Sequence, residues 1–130
     1  MPNTWRIYTD GSVIDGGVGG SMVAYNPDGV IVRRKKFCLA PYCNIYQAES
    51  FSIWRALKFA ESLDVKRFQI FSDSASVLQS ILNLDDHNCL VTSSRQQILD
   101  VMGSGCYIQL VWVKGHIGVE GNVMADHYAK

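Results

Sequence analysis

Four carboxylates and one histidine stand where the chain could do chemistry: Asp10, Glu49, Asp73, Asp126 and His116. Each acid falls at or beside an expected end of a strand or start of a helix; no cysteine accompanies them, and His87 and His127 read as solvated, His127 turned about 100° away from Asp126 on its helix. Taken singly, each reads equally well as a solvated carboxylate at the end of an element. Brought together they could not stay as they are, because two like charges ~4 Å apart repel by ~4 kcal/mol at an effective dielectric of ~20. Cations would relieve that repulsion. Ligands made only of oxygen select hard ions, Mg²⁺ or Mn²⁺, which keep several waters and accept a phosphate oxygen as a further ligand. A pair of such ions suits phosphodiester hydrolysis, one activating water and the other stabilising the leaving oxygen. His116, among glycines and near neutral pKa, suits proton transfer, and reads otherwise as an exposed loop residue.

The acids can meet only if the elements carrying them do. Trp5 to Ser12 alternates as a strand that ends near Asp10. The turn Asp15-Gly16-Gly17 leads to a second strand through Met22-Val23-Ala24-Tyr25, and Asn26-Pro27-Asp28-Gly29 turns the chain into a third, Val30 to Leu39. The period then changes. Asn44 with Gln47 forms a capping-box pattern, and Ile53, Leu57 and Ala60 follow at helical spacing, so a helix is expected over Ile45 to Leu63. Arg67 to Ser72 reads as a strand buried on both faces, and Asp73 to Leu82 as a second helix. After Asp85-Asp86-His87-Asn88 come a helix over Val91 to Met102, a buried strand over Tyr107 to Val113, a glycine loop, and a closing helix over Asn122 to Lys130.

The order βββ-α-β-α-α-β-α predicts an α/β fold: a five-stranded mixed sheet in spatial order 3-2-1-4-5, its first three strands antiparallel, with helices on both faces. In such sheets ligands gather beyond the carboxyl ends of the parallel strands. Asp10 and Asp73 should meet there, Glu49 should arrive from the first helix, and Asp126 should share a helix face with Asn122.

The whole is one domain, 1–130, since 130 residues fall within the usual size of a single core. Apolar residues make up 48% and charged residues 18%, which speaks against disorder. No apolar run is long enough for a membrane helix, and the first residues lack a signal-peptide pattern. Cys38, Cys43, Cys89 and Cys106 form no C-x-x-C pair and no metal-ligand spacing, so they read as reduced, half-buried thiols of an intracellular protein. Twelve basic residues balance twelve acidic ones. Zero net charge predicts weak unaided binding to nucleic acid. The one basic run, Arg33-Arg34-Lys35-Lys36, reads either as protection of an edge strand or as a nucleic-acid contact. Trp5, Trp54 and Trp112 are expected in or half in the core.

Five blocks, Tyr8-Thr9-Asp10-Gly11-Ser12, Gln47-Ala48-Glu49, Ser72-Asp73-Ser74, Val113-Lys114-Gly115-His116 and Asn122-Val123-Met124-Ala125-Asp126, resemble in order the motifs of type 1 ribonuclease H. The resemblance spans Trp5 to Lys130. Gln-Ala-Glu and Lys-Gly-His-x-Gly look most like the ribonuclease H domain of a non-LTR retrotransposon reverse transcriptase, which would make the chain a piece of a larger polyprotein. The resemblance implies hydrolysis of the RNA strand of an RNA/DNA hybrid with two Mg²⁺ ions, Mn²⁺ substituting. Asp10 would bridge both ions, Asp126 would complete the one that activates water, and Glu49 with Asp73 would hold the other. His116 would assist proton transfer or product release. Gly11 and Ser12 would offer backbone to the RNA, Ser74 would lie beside a metal carboxylate, and Asn122 would orient Asp126 or the RNA. The 2′-hydroxyl would mark RNA from DNA.

The chain departs from that pattern at several positions. Ile45 and Tyr46 stand where many members carry polar residues. Asn44 replaces a phosphate-contacting Thr and serves equally as a helix cap, and Val123 replaces a common acid. After the second helix the stretch Asn83 to Asn88 is short and acidic, where cellular enzymes often insert a basic segment. A reverse transcriptase domain in the same polyprotein is then the expected partner, with the isolated domain monomeric and membranes not involved. The reading from another class is a non-catalytic module of the same fold that braces a polymerase, and a third is cleavage of some other phosphodiester.

Overall fold

The structure is a computed structural model that describes residues 3–14, 17–63, 66–83 and 89–113. The expected glycine loop and closing helix lie outside the described residues, and with them His116, Asn122 and Asp126.

Strands β1 (Trp5–Ile14), β2 (Gly17–Tyr25) and β3 (Ile31–Leu39) form the expected antiparallel meander. Helix α1 (Ile45–Ser62) crosses to β4 (Arg67–Ser72), which pairs in parallel with β1. Helices α2 (Ala75–Leu82) and α3 (Cys89–Gly103) then lead to β5 (Tyr107–Trp112), parallel to β4. The sheet runs β3-β2-β1-β4-β5, the order predicted. The Asn26 side chain shapes the β2–β3 turn by accepting from the backbone N–H groups of Asp28 and Val30, both at 3.0 Å. Gly29 takes the left-handed conformation there, φ 80°, which costs a glycine nothing.

Boundaries move by a few residues, each for a local reason. β1 runs on past Ser12 to Ile14 because its ladder with β2 continues through Val13–Val18 to Ile14–Gly17, so Gly17 belongs to a strand. α2 begins at Ala75 and not at Asp73, because Ser74 is its N-cap, its hydroxyl accepting from the Val77 N–H. α3 begins at Cys89 and ends at Gly103, wider at both ends than the apolar spacing suggests.

All three described helices feed one core. Ile7, Met22, Ala24, Phe37, Phe68 and Ile70 from the sheet meet Ile53, Ala56 and Leu57 of α1, Val77 and Ile81 of α2, and Val91 and Val101 of α3. Burying the larger of these side chains stabilises by about 1.5–3 kcal/mol each. A smaller cluster of Tyr8, Val23 and Tyr25, with Ile31 and Phe71, occupies the opposite face. Tyr8 stacks on Phe71 with ring centroids 4.5 Å apart and meets Tyr25 edge-on at 5.6 Å. β4 is thus apolar on both sides, as its sequence suggests. Trp5 packs against the main core, but Trp112 is 52% exposed, because it ends β5 at the sheet's open edge. All four cysteines are free, and Cys38 and Cys89 are exposed rather than half-buried. Cys38 lies on edge strand β3 and Cys89 in the first turn of α3.

Candidate active site

Strand register brings the acids together. The β1–β4 ladder ends at Tyr8 opposite Phe71. Asp10 and Asp73 each lie two residues beyond that pair, just past the end of the parallel ladder, Asp10 within β1 and Asp73 directly after β4. The Thr9 hydroxyl fixes this end by donating to the Phe71 carbonyl at 3.0 Å. Glu49 comes from the second turn of α1. Carboxylate oxygens of Asp10, Glu49 and Asp73 all lie within 4.8 Å of one another.

Helix α1 can bring Glu49 so close because the strands beneath it carry glycine. A Cβ on Gly11 would stand 2.7 Å from Glu49 Cγ and 2.9 Å from the Glu49 backbone nitrogen. On Gly20 it would fall 2.0 Å from Ser52 Oγ and 3.0 Å from the Ala48 carbonyl. The Ser52 hydroxyl lies 2.9 Å from the Asp10 carbonyl and 2.8 Å from that of Ala48. Its single proton therefore ties α1 to the strand next to the first acid, or to its own preceding turn. Gly11 thus has a packing role beside any part in substrate approach. Sequence reasoning passed over Gly20, Ser52 and Thr9; the signal available for them was the run of small residues Gly19-Gly20-Ser21, opposite which a helix must pack closely.

The carboxylates sit in different surroundings. Asp10 is 2% exposed, and its Oδ1 accepts from the Gly11 N–H at 2.9 Å. The Asp73 carbonyl accepts from the Trp112 indole N–H at 3.2 Å, linking the end of β4 to β5. Glu49 is half-buried, and burial is the main cause that raises its pKa from 4.5 to about 7. The Ser74 hydroxyl opposes the rise by hydrogen bonding, while the charge of Asp73 and a hydrogen bond with it add to it. Oxygen-only donors at this spacing match a hard divalent cation, whose charge would replace the proton that Glu49 otherwise holds.

Three of the four predicted carboxylates therefore converge, and the fourth, Asp126, lies outside the described residues. Ser74 sits beside the cluster as cap of α2. Ser12 is buried on β1, paired with Gly19. Asn44 caps α1 with the full reciprocal box: its Oδ1 accepts from the Gln47 N–H at 2.9 Å, and its own N–H donates to Gln47 Oε1 at 2.8 Å. The cap function is real, and the exposed Asn44 amide nitrogen is left for other contacts.

A mixed 3-2-1-4-5 sheet with an acidic edge at β1 and β4 defines the ribonuclease H-like class of folds. The sequence profile of the RNase H family matches residues 2–130, and the chain belongs to that family, a ribonuclease H by class. RNase H1 of the halophilic archaeon Halobacterium salinarum superposes with a TM-score of 0.75 at 20% identity, covering 97% of this chain and 94% of that one. The LC11 RNase H1, solved in complex with an RNA/DNA hybrid, gives 0.72 at 17% identity over 95% of this chain and 92% of that one. The protease-reverse transcriptase of prototype foamy virus gives 0.74 at 22% identity over 97% of this chain, which spans 20% of the viral protein. No curated protein sequence is significantly similar to the chain.

Proposed function

We propose that the protein is an endonuclease that hydrolyses the RNA strand of RNA/DNA hybrids with two divalent cations, Mg²⁺ or Mn²⁺, in the service of a retroelement's reverse transcription. The observation that carries this reading is the meeting of Asp10, Glu49 and Asp73 within 4.8 Å at the sheet edge. Asp10, Glu49, Asp73 and Asp126 would hold the ions. When bound, such a pair lowers the pKa of a water and stabilises the leaving oxygen.

The chain's own residues do the rest. Gly11 keeps β1 close to α1, so that Glu49 reaches the edge. Ser74 holds the start of α2 against the cluster and steadies the Glu49 carboxylate. Gly11, Ser12, Asn44, Ser74 and Asn122 contact the substrate backbone, and His116 moves a proton at the scissile phosphate. Family membership supports the activity, and the hybrid bound by the LC11 enzyme supports the substrate class. The foamy-virus likeness and the Gln47-Ala48-Glu49 block support a place as one domain, 1–130, beside a reverse transcriptase in a longer polyprotein. Among the described residues no helix is long and apolar enough to cross a membrane. The free cysteines accord with an intracellular setting, cytoplasm or nucleus, and the isolated domain is monomeric.

The test is cleavage of a labelled RNA/DNA hybrid with Mg²⁺ and then Mn²⁺, beside single-stranded RNA, RNA duplex and DNA duplex, with Asp10→Asn as blank. Cutting confined to the RNA of the hybrid, and lost in the variant, is the expected result. Silence on every substrate, including by a form fused to a nucleic-acid-binding domain, would favour the bracing module instead.

A further inference from the structure

The basic run of β3 does not act as one block. Lys35 pairs with Met22 and Arg33 with Ala24, and Met22 and Ala24 belong to the core beneath α1. Cross-strand partners share a face, so Arg33 and Lys35 stand on the α1 side of the sheet, and Arg34 and Lys36 on the other. Helix α1 meets the first pair with Arg55, Lys58, Phe59 and Ser62, which lie along one helical stripe at successive three- and four-residue steps. Together with Met22 these residues line a groove of about 240 Å³. Four of the chain's twelve lysines and arginines are gathered in it, in a protein of zero net charge.

Three of these cations rest on aromatic rings. The Arg33 guanidinium lies 5.5 Å from the Phe59 ring centroid, that of Arg55 5.3 Å from Phe37, and Lys58 Nζ 5.7 Å from Trp54. A ring face holds a cation in place without cancelling its charge. Among the described residues no carboxylate pairs with any of the four. Glu61, the acid that follows on α1, accepts instead from Gln97 of α3. The groove thus keeps four positive charges unneutralised, three of them held on ring faces, which is what a polyanion needs.

We propose that this groove binds the phosphate backbone of nucleic acid outside the stretch held at the acidic edge. The helix that carries Glu49 also carries the groove: at 1.5 Å per residue, Arg55 and Lys58 lie about 9 and 14 Å further along α1, a few base steps of duplex away. The groove supplies the charge that the overall composition lacks. The assignment rests on the nucleic-acid reading of the site for the identity of the polyanion.

Binding of a 30-base-pair RNA/DNA hybrid, followed by fluorescence anisotropy in EDTA from 25 to 200 mM KCl, tests it without any cleavage. Replacing Arg33, Lys35, Arg55 and Lys58 by Gln should flatten the slope of log K against log salt by about 2–4, near 0.9 for each phosphate that is no longer neutralised. It should also weaken binding at least tenfold at 50 mM salt. The pairs Arg33→Gln/Lys35→Gln and Arg55→Gln/Lys58→Gln should each give about half the change, and they serve if the fourfold variant fails to fold. Lys66→Gln, which removes one charge at the far end of β4, should leave the slope nearly unchanged. An unchanged slope in both pairs overturns the proposal, as does absence of wild-type binding at 25 mM salt. Equal competition by poly-glutamate and hybrid at matched charge would overturn it too, marking an acidic-protein site. Cleavage assays stand apart from these readouts, so a protein that cuts but shows no groove dependence separates this failure from that of the proposed activity.

Discussion

Glu49 makes the acidic edge measurable without substrate. Its pKa, raised from 4.5 to about 7 mainly by burial, means that the folded, metal-free protein holds a proton the unfolded chain releases more easily. The associated stability is complete below pH 4.5 and is lost as pH climbs to 7. Converted in full, the shift corresponds to about 3 kcal/mol. The side chain keeps part of its solvent contact, so screening reduces this to about 1–2 kcal/mol, or about 5 °C in Tm for a domain of this size. Thermal melts in EDTA of the wild type and Glu49→Gln, at pH 4.5, 6 and 8, isolate the effect because every other group is common to both. The Tm of the variant should gain about 5 °C on the wild type between pH 4.5 and 8. Adding Mn²⁺ at pH 8 should raise the wild-type Tm by more than that of the variant, since a cation takes the place of the proton. Parallel pH profiles for the two proteins would refute the reasoning.

Other expectations are more local. Gly11→Ala should cost about 1–3 kcal/mol through overpacking and lower hybrid cleavage at least tenfold, because its Cβ would displace Glu49; melts and initial rates check both. Asn44→Ala removes the reciprocal cap of α1 and should cost about 1 kcal/mol by urea denaturation; retained hybrid affinity would assign Asn44 to the cap alone. Asp10→Asn should abolish cleavage while the metal-free Tm stays level or rises, and any residual RNA cutting would remove Asp10 from the centre of the reaction.

The sheet order was legible because its signals are local: the Asn26-Pro27-Asp28-Gly29 turn, the change of period at Asn44, and two short apolar strands separated by helices. The meeting of Asp10 and Asp73 followed from that order with no further information. What the sequence concealed depends on contacts between distant segments. Nothing near Arg33 announces that Arg55 and Lys58 will face it, and the alternation that splits the basic run becomes visible only in the ladder with β2. The glycines were misleading in another way. Gly11 reads only as room for a substrate, and the close packing of α1 against it is visible only in the structure. The start of α2 was misplaced because Asp73 and Ser74 are both good caps, and only the hydrogen bond to Val77 chooses between them.

The hydroxyl of Thr9 reaches a carbonyl 62 positions away, and the order of events in folding follows from that span. The β1–β2–β3 meander closes through short turns, whereas the parallel ladder between β1 and β4 must wait for the crossover through α1, a pairing of the slow, long-range kind. Asp10 and Asp73 therefore come face to face only once that ladder has formed. If that ladder forms after the folding barrier, their mutual repulsion in the metal-free protein shortens the lifetime of the native state and leaves the folding rate almost untouched. The cation that readies the edge for chemistry would also act as a latch on the parallel ladder.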